Sequence, residues 1–142
     1  MTVRFTVPGE PTGKGRPRFS TRGGNITTST PEKTAIYESL VKLEFQRQCV
    51  GGRFPDGSQL YVDITAYYTI PKSTSKKKRA AMVAGVIRPT KKPDCDNVVK
   101  AILDSLNKVA YHDDSQVVDA AVHKYFGERP MVAVVISDQI PA

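Results

Sequence analysis

Leu60-Tyr61-Val62-Asp63-Ile64-Thr65-Ala66-Tyr67-Tyr68-Thr69-Ile70 is the stretch from which the fold can be read. Leu60, Val62, Ile64, Ala66, Tyr68 and Ile70 alternate with Tyr61, Asp63, Thr65, Tyr67 and Thr69. Successive side chains of a strand point to opposite faces, so this period of two predicts a strand with one apolar and one semi-polar face. Pro71 ends it. Its tyrosines fit sheet packing better than base stacking.

Upstream, residues 2–7 place Val3, Phe5 and Val7 on one side of another strand. Residues 8–25, rich in Gly, Pro and Arg, predict a loop. Thr30-Pro31-Glu32 predicts a helix start, with Thr30 as cap, Pro31 in the first turn and Glu32 at the positive end of the dipole. Ile36, Tyr37, Leu40, Val41 and Leu43 then form a broad apolar arc on a helix reaching about Cys49, which Gly51-Gly52 ends. Downstream, residues 75–84 predict a short basic helix stopped by Gly85. Residues 87–93 are expected to be extended, because Pro89 and Pro93 bias their predecessors away from helix. Residues 94–108 predict a helix with the stripe Val99, Ile102, Leu103 and Leu106, and with Asp96, Lys100 and Asp104 at steps of four on the opposite face. Residues 116–125 and 131–136 predict two strands joined as a hairpin through Gly127-Glu128-Arg129-Pro130. The sum is a small α/β (α+β) fold in a single domain over residues 1–142, with a mixed sheet of four-stranded type and helices packed on it.

Bulk properties agree with one soluble domain. The 142 residues, 39% hydrophobic and 25% charged, suffice for a real core. No apolar run approaches the ~20 residues that span a bilayer, and the first residues lack the apolar region of a signal peptide. A cytoplasmic location is therefore expected. Cys49 and Cys95 have no framework spacing and predict free thiols acting as small filler residues. The net charge is +7, from 21 Lys and Arg against 14 Asp and Glu. Twelve of these 21 basic residues fall in two runs, Lys14, Arg16, Arg18 and Arg22, then Lys72, Lys76, Lys77, Lys78, Arg79, Arg88, Lys91 and Lys92. They lead up to an acidic group of Asp94, Asp96, Asp104, Asp113, Asp114 and Asp119. That arrangement favours a polyanionic partner.

The chemistry concentrates in Lys92-Pro93-Asp94-Cys95-Asp96-Asn97-Val98-Val99-Lys100. In extended geometry residues two apart point the same way, so Asp94 and Asp96 can converge. Two ionised carboxylates that close repel unless a cation or a proton intervenes. Mg²⁺ suits such a site, since it prefers oxygen ligands and keeps waters that a phosphate can replace. Lys100, one turn after Asp96, is placed to offset charge on a phosphate. The same residues also suit helix capping and an ordinary i,i+4 ion pair. A second segment, Ala110-Tyr111-His112-Asp113-Asp114-Ser115-Gln116, precedes a strand, and a helix of about four turns lets the chain return and deliver a third carboxylate. Asp-Asp-Ser is equally ordinary turn composition. The basic flanks tip the balance to a phosphodiester substrate over a calcium or structural site. His112 reads as a solvated loop residue. Gly9 to Lys14 fails as a phosphate loop on glycine spacing and on Gly15, and Cys49, Cys95, His112 and His123 lack zinc spacing.

Together the two segments resemble the RusA family of bacterial and phage Holliday-junction resolvases. The match runs through Lys92 to Lys100, then Ile102-Leu103-Asp104-Ser105-Leu106-Asn107, then Asp113-Asp114-Ser115-Gln116-Val117-Val118, against a pattern D-x-D-N-x-x-K, D-a-L and D-D-x-Q-[VI]-V. Gly13-Lys14-Gly15-Arg16-Pro17-Arg18 and the Lys-rich helix resemble the family more loosely. The resemblance implies Asp94, Asp96 and Asp114 as metal-binding catalytic aspartates, Lys100 as the active-site lysine, and Asn97, Asp113 and Gln116 in support. It implies one or two Mg²⁺ per site, with Mn²⁺ able to substitute. It also implies a symmetric homodimer that nicks two strands of equal polarity in four-way branched DNA, in recombination and repair. Lys14, Arg16, Arg18, Lys76, Lys77, Lys78, Arg79 and Lys92 would hold DNA backbones, contacts that are salt-sensitive and blind to sequence. A non-catalytic branched-DNA binder, and a nuclease for flaps or forks, are the alternatives.

Overall fold

The computed structural model describes residues 1–15, 18–22, 25–29 and 32–141. Along the chain run β1 (Thr2–Pro8), β2 (Arg18–Arg22), β3 (Asn25–Ser29), α1 (Glu32–Gln48), β4 (Leu60–Thr69), α2 (Lys76–Val83), α3 (Cys95–Ser105), a single 3-10 turn (Asp114–Gln116), β5 (Val117–Gly127) and β6 (Met131–Ser137). The alternating stretch is β4, a central strand of a sheet ordered β1-β6-β4-β5. β6 pairs antiparallel with both β1 and β4, whereas β5 pairs parallel with β4. The sheet is mixed because parallel neighbours need a crossover connection, and the segment carrying α2 and α3 supplies it. α3 therefore starts near the end of β4 and returns the chain to where β4 began.

The apolar face of β4 is fully covered, with Leu60, Val62, Ile64, Ala66 and Tyr68 each at most 1% exposed. Tyr37, Val41 and Phe45 of α1 and Val98, Ala101 and Ile102 of α3 pack on it, joined by Phe5, Val7, Val132, Val134 and Ile136. Phe5 and Phe45 meet edge to face, centroids 5.4 Å apart, a geometry favoured by the ring quadrupole. The other sheet face, with Tyr61, Asp63, Thr65 and Tyr67, stays half-exposed.

Four expectations change. The last two strands are not a hairpin: β5 and β6 lie on either side of β4. Three residues join them, enough to cross two strand spacings of ~4.8 Å over the end of β4. Residues 8–25 are not all loop, since β2 and β3 form a two-stranded hairpin. Two short segments around Gly23-Gly24 satisfy a hairpin signal that the Arg and Pro content masks. On α1, Ile36 and Leu43 are 63% and 58% exposed, and the buried side is Thr34, Tyr37, Val41, Glu44 and Phe45. The polar members can be buried because they find partners: Glu44 takes Arg47 Nη2 at 2.6 Å and Gln48, and Thr34 accepts from Gly15 N. α3 stops at Ser105, about a turn before residue 108, because the chain reverses through Lys108 at φ +66°. Residues 87–93, expected to be extended, belong to no helix and no strand. The expected cap residues Thr30 and Pro31 lie outside the described residues.

This placement separates two neighbours on α1. Phe45→Ala should cost roughly 3–5 kcal/mol in urea denaturation, the range for a buried aromatic. Leu43→Ala should stay within about 0.5 kcal/mol. Similar losses at both positions would contradict the observed face of α1.

Candidate active site

Asp94 occupies the N-cap position of α3 with extended backbone angles, yet its carboxylate makes no capping bond. It faces a cleft of about 780 Å³ whose rim carries Lys33, Lys91 and Lys92 and whose wall is the chain from Glu10 to Gly15. Tyr68, at the end of β4, donates its hydroxyl to the Pro93 carbonyl at 2.7 Å, tying the approach to Asp94 onto the sheet. Burial pushes the Tyr68 pKa up to about 12, which keeps it a donor. The ammonium groups of Lys124 and Lys91 stand 5.1 and 6.0 Å from its ring centroid. Asp96 and Lys100 are exposed on α3 beyond the cleft.

The cleft wall is held by a tripeptide. A Cβ on Gly13 would sit 2.2 Å from Asn97 Nδ2, so only glycine allows this approach. Lys14 N donates to Asn97 Oδ1 at 3.1 Å, and Gly15 N donates to Thr34 Oγ1 at 2.8 Å. Lys14 then lies along α3, with Nζ 2.5 Å from Asp104 Oδ2 and 3.8 Å from Glu38 Oε1. Its bond to Asp104 is the main reason that its pKa is raised. Lys14, expected on DNA, is thus turned inward. Asn97 positions the loop.

At the other end of α3 the Asp-Asp-Ser-Gln run divides its roles. Asp113 accepts from Ser115 N at 3.0 Å, and this bonding holds its carboxyl below the usual range. Gln116 Oε1 accepts from His112 N and Asp113 N at 3.0 and 3.2 Å, completing a capping box. Its Nε2 donates to the carbonyls of Pro55 and Ser58. Asn107 Oδ1 receives Asp114 N at 2.8 Å, and the buried Tyr111 hydroxyl donates to Leu103 O at 2.6 Å. Only Asp114 keeps its carboxylate out of this turn, and it meets Asp104. Desolvation first, then the charges of Asp113 and Asp104, raise its pKa.

The structure therefore brings Asp94 and Asn97 to one cleft and Asp114 to Asp104. With ~1.5 Å rise per residue, Asp94 and Asp104 are about 15 Å apart along α3. Among the described residues no three His, Cys, Asp or Glu side chains form a ready metal-ligand group. Asp104 was visible in the sequence as the third member of the Asp96–Lys100–Asp104 row, but its contacts with Lys14 and Asp114 were not. Lys76, Lys77, Lys78 and Arg79 are all exposed on α2, which Ser75 caps by accepting from Lys78 N at 3.3 Å. Lys92 is exposed at the cleft. Arg16 lies outside the described residues, and Arg18 opens β2. His112 is an exposed loop residue, Cys49 is buried and Cys95 exposed.

The model of the RusA endodeoxyribonuclease family matches residues 8–137. The chain belongs to the RusA family. A protein of Bacillus subtilis (strain 168), carried under the name Uncharacterized protein YqaN, is 39% identical over 142 residues, covering 96% of each chain. The RusA match includes the loop at Lys14 and both ends of α3, so the cleft and the Asp104–Asp114 pair are parts of one nuclease domain. No described helix is long and apolar enough to cross a membrane.

A carboxyl whose folded pKa is raised stabilises the fold only below its unfolded value, near 3.9, and that contribution is lost as pH rises through the raised value. Ionised Asp114 therefore destabilises the fold at neutral pH. Asp114→Asn should leave Tm unchanged or higher at neutral pH, with any gain vanishing in acid. A lower Tm at neutral pH would contradict this account of the Asp104–Asp114 contact.

Proposed function

We propose that this RusA-family chain is a Mg²⁺-dependent endodeoxyribonuclease that resolves four-way DNA junctions in recombination and repair. In this reading it acts as a homodimer and makes paired symmetric nicks. The supporting observation is the Asp94 carboxylate, unused by its own helix cap, in a cleft rimmed by Lys33, Lys91 and Lys92. Lysines rim a cleft in this way to hold a phosphate, and a free carboxylate among them is the donor that a hard cation selects. Asp94 would hold the ion from the cleft, and Asp96 would reach it from the first turn of α3 just outside, with Mn²⁺ able to replace Mg²⁺. Asp114, which the family pattern groups with them, stands with Asp104 at the far end of α3. A bound ion would supply an activated water and stabilise the leaving oxygen. The chain's own part is to hold the phosphate on Lys91 and Lys92, to fix the approach through Tyr68 and Asn97, and to offset developing charge with Lys100. Arg16, Arg18 and Lys76 to Arg79 would grip the arms of the junction. A two-fold dimer would set two equivalent clefts against two equivalent strands.

The distance between Asp94 and Asp114 favours one competing reading, a branched-DNA-binding protein without turnover. A labelled synthetic junction, tested beside linear duplex, flap and fork with and without Mg²⁺, separates the two. Paired symmetric nicks on the junction that need both Mg²⁺ and Asp96 are expected. Asp96→Asn should lose cleavage by at least about a hundredfold while binding as tightly or tighter, since a charge facing phosphate is removed. Junction binding without cleavage in any metal would establish the competing reading, and preferred cleavage of flaps or forks would reassign the substrate.

The basic helix gives an independent check. Replacing Lys76, Lys77 and Lys78 with Gln should weaken junction binding and flatten its dependence on log salt, by about 0.9 for each phosphate contact removed. An unchanged slope would place α2 off the DNA path.

A further inference from the structure

The open face of the sheet carries a group of side chains that the cleft does not use. Tyr67 of β4 and Tyr125 of β5 are register partners. Their rings stack with centroids 6.3 Å apart and planes 29° apart. The Arg88 guanidinium sits 4.1 Å from the Tyr125 centroid, and its Nε donates to the Lys124 carbonyl at 2.8 Å. Both rings are half-exposed and Arg88 is exposed. Among the described residues Arg88 has no carboxylate partner.

Two glycines hold the group in place. A Cβ at Gly85 would lie 3.3 Å from Tyr125 Cε1, and one at Gly127 would lie 3.1 Å from Tyr67 Cβ. Backbone thus closes on both rings where a side chain would push them away. The group is also continuous with the cleft. Lys91, on the cleft rim, accepts through its carbonyl from Lys124 Nζ at 2.6 Å, and the Lys124 carbonyl in turn receives Arg88. A basic track therefore runs from Asp94 round the edge of β5 to the open face. α2, with its exposed Lys76 to Arg79, packs on the same strand. Of the acids of this face, Asp63 and Asp119 sit at the other end of β4 and β5, and Glu10, at the near end, accepts from Thr69 Oγ1. Asp63 is ~13 Å of strand away from Tyr67.

We propose that Tyr67, Tyr125 and Arg88 form a second DNA contact, a stacking site for unpaired bases of a strand that passes the Asp94 cleft. Every base has a π-face, so an aromatic ring or a guanidinium plane takes it regardless of sequence, while neighbouring cations hold the backbone. Branched DNA offers such bases where its arms meet. Ring and guanidinium are already fixed by Gly85, Gly127 and the Lys124 carbonyl, so little ordering remains on binding. Arg88, Lys91, Lys124 and the lysines of α2 outnumber Glu10 around this end of the face, which favours a polyanion over a protein partner. The inference rests on the nuclease reading and adds to it a site for single-stranded substrate.

The test is fluorescence anisotropy of the full chain, in chelator to prevent cutting. One probe is a labelled single strand of about twenty thymidines, a length that covers one or more such sites, and the other is a labelled linear duplex of equal length. Tyr125→Leu and Arg88→Gln should each bind the single strand about tenfold more weakly, and the duplex within about twofold, because stacking is available only to unpaired bases. Arg88→Gln changes an exposed side chain, and a thermal melt confirms that both variants fold. Equal losses on the two probes would reduce the site to backbone charge and overturn the stacking proposal, as would unchanged binding. Wild-type protein that binds duplex but not single strand would overturn it and leave the nuclease reading standing. Wild-type protein that binds neither probe nor a four-way junction would remove both.

Discussion

The parallel pairing of β4 with β5 is the constraint on which the rest depends. Two parallel neighbours cannot be joined by a tight turn, so the chain must leave β4, cross the sheet and return. α3 is that return. Its apolar residues Val98, Ala101 and Ile102 are buried in the core that includes the apolar face of β4, with α1 and β5 as neighbours, which fixes the helix on the sheet. Asp94 then lies where β4 ends and Asp114 where β5 begins. Tyr68 belongs to both parts of this arrangement, with its ring in the core and its hydroxyl on the Pro93 carbonyl. Clefts at the carboxyl ends of parallel strands are common ligand sites because the crossover opens there.

Polar side chains around α3 fall into two sets. Asn97, Asn107, Asp113 and Gln116 bind backbone N–H groups and hold the turns. Lys14 bridges the Gly13–Gly15 loop to Asp104 and Glu38. The second set, Asp94, Asp96, Lys100 and Asp114, is not consumed by that bonding. Asp114 carries the cost of a carboxylate that is desolvated and also kept close to Asp113 and Asp104. Turn bonding and a carboxylate left out of it thus fall to different residues even within one dipeptide, Asp113-Asp114.

Much of this was legible in the residues. The strand at Leu60, the basic helix capped by Ser75 and the amphipathic α3 all emerge from local periodicity. The two carboxylate segments are visible too, because acids at short spacing stand out beside runs of basic residues. The identity of the buried side of α1 was not legible. Ile36 and Leu43 are as apolar as Val41, and only the position of β1 and α3 selects among them. Glu44 entered the buried set through partners that no periodicity reveals. The β2–β3 hairpin was hidden by its arginines, and the pairing of the last strands was hidden because a short connection fits a hairpin and a bridge over β4 equally well.

By itself the sequence determined the segments of four strands and three helices, the apolar face of β4, and that carboxylates at two places accompany runs of cations, a pattern suited to a polyanion. These are local properties, set by side-chain periodicity and by charge. Tertiary structure alone decided the rest. It placed Asp94 and Asp114 at opposite ends of one helix, turned Lys14 inward to Asp104, and left Tyr67, Tyr125 and Arg88 together on an uncovered face. These outcomes depend on which strand lies beside which, a long-range packing choice that no window along the chain contains.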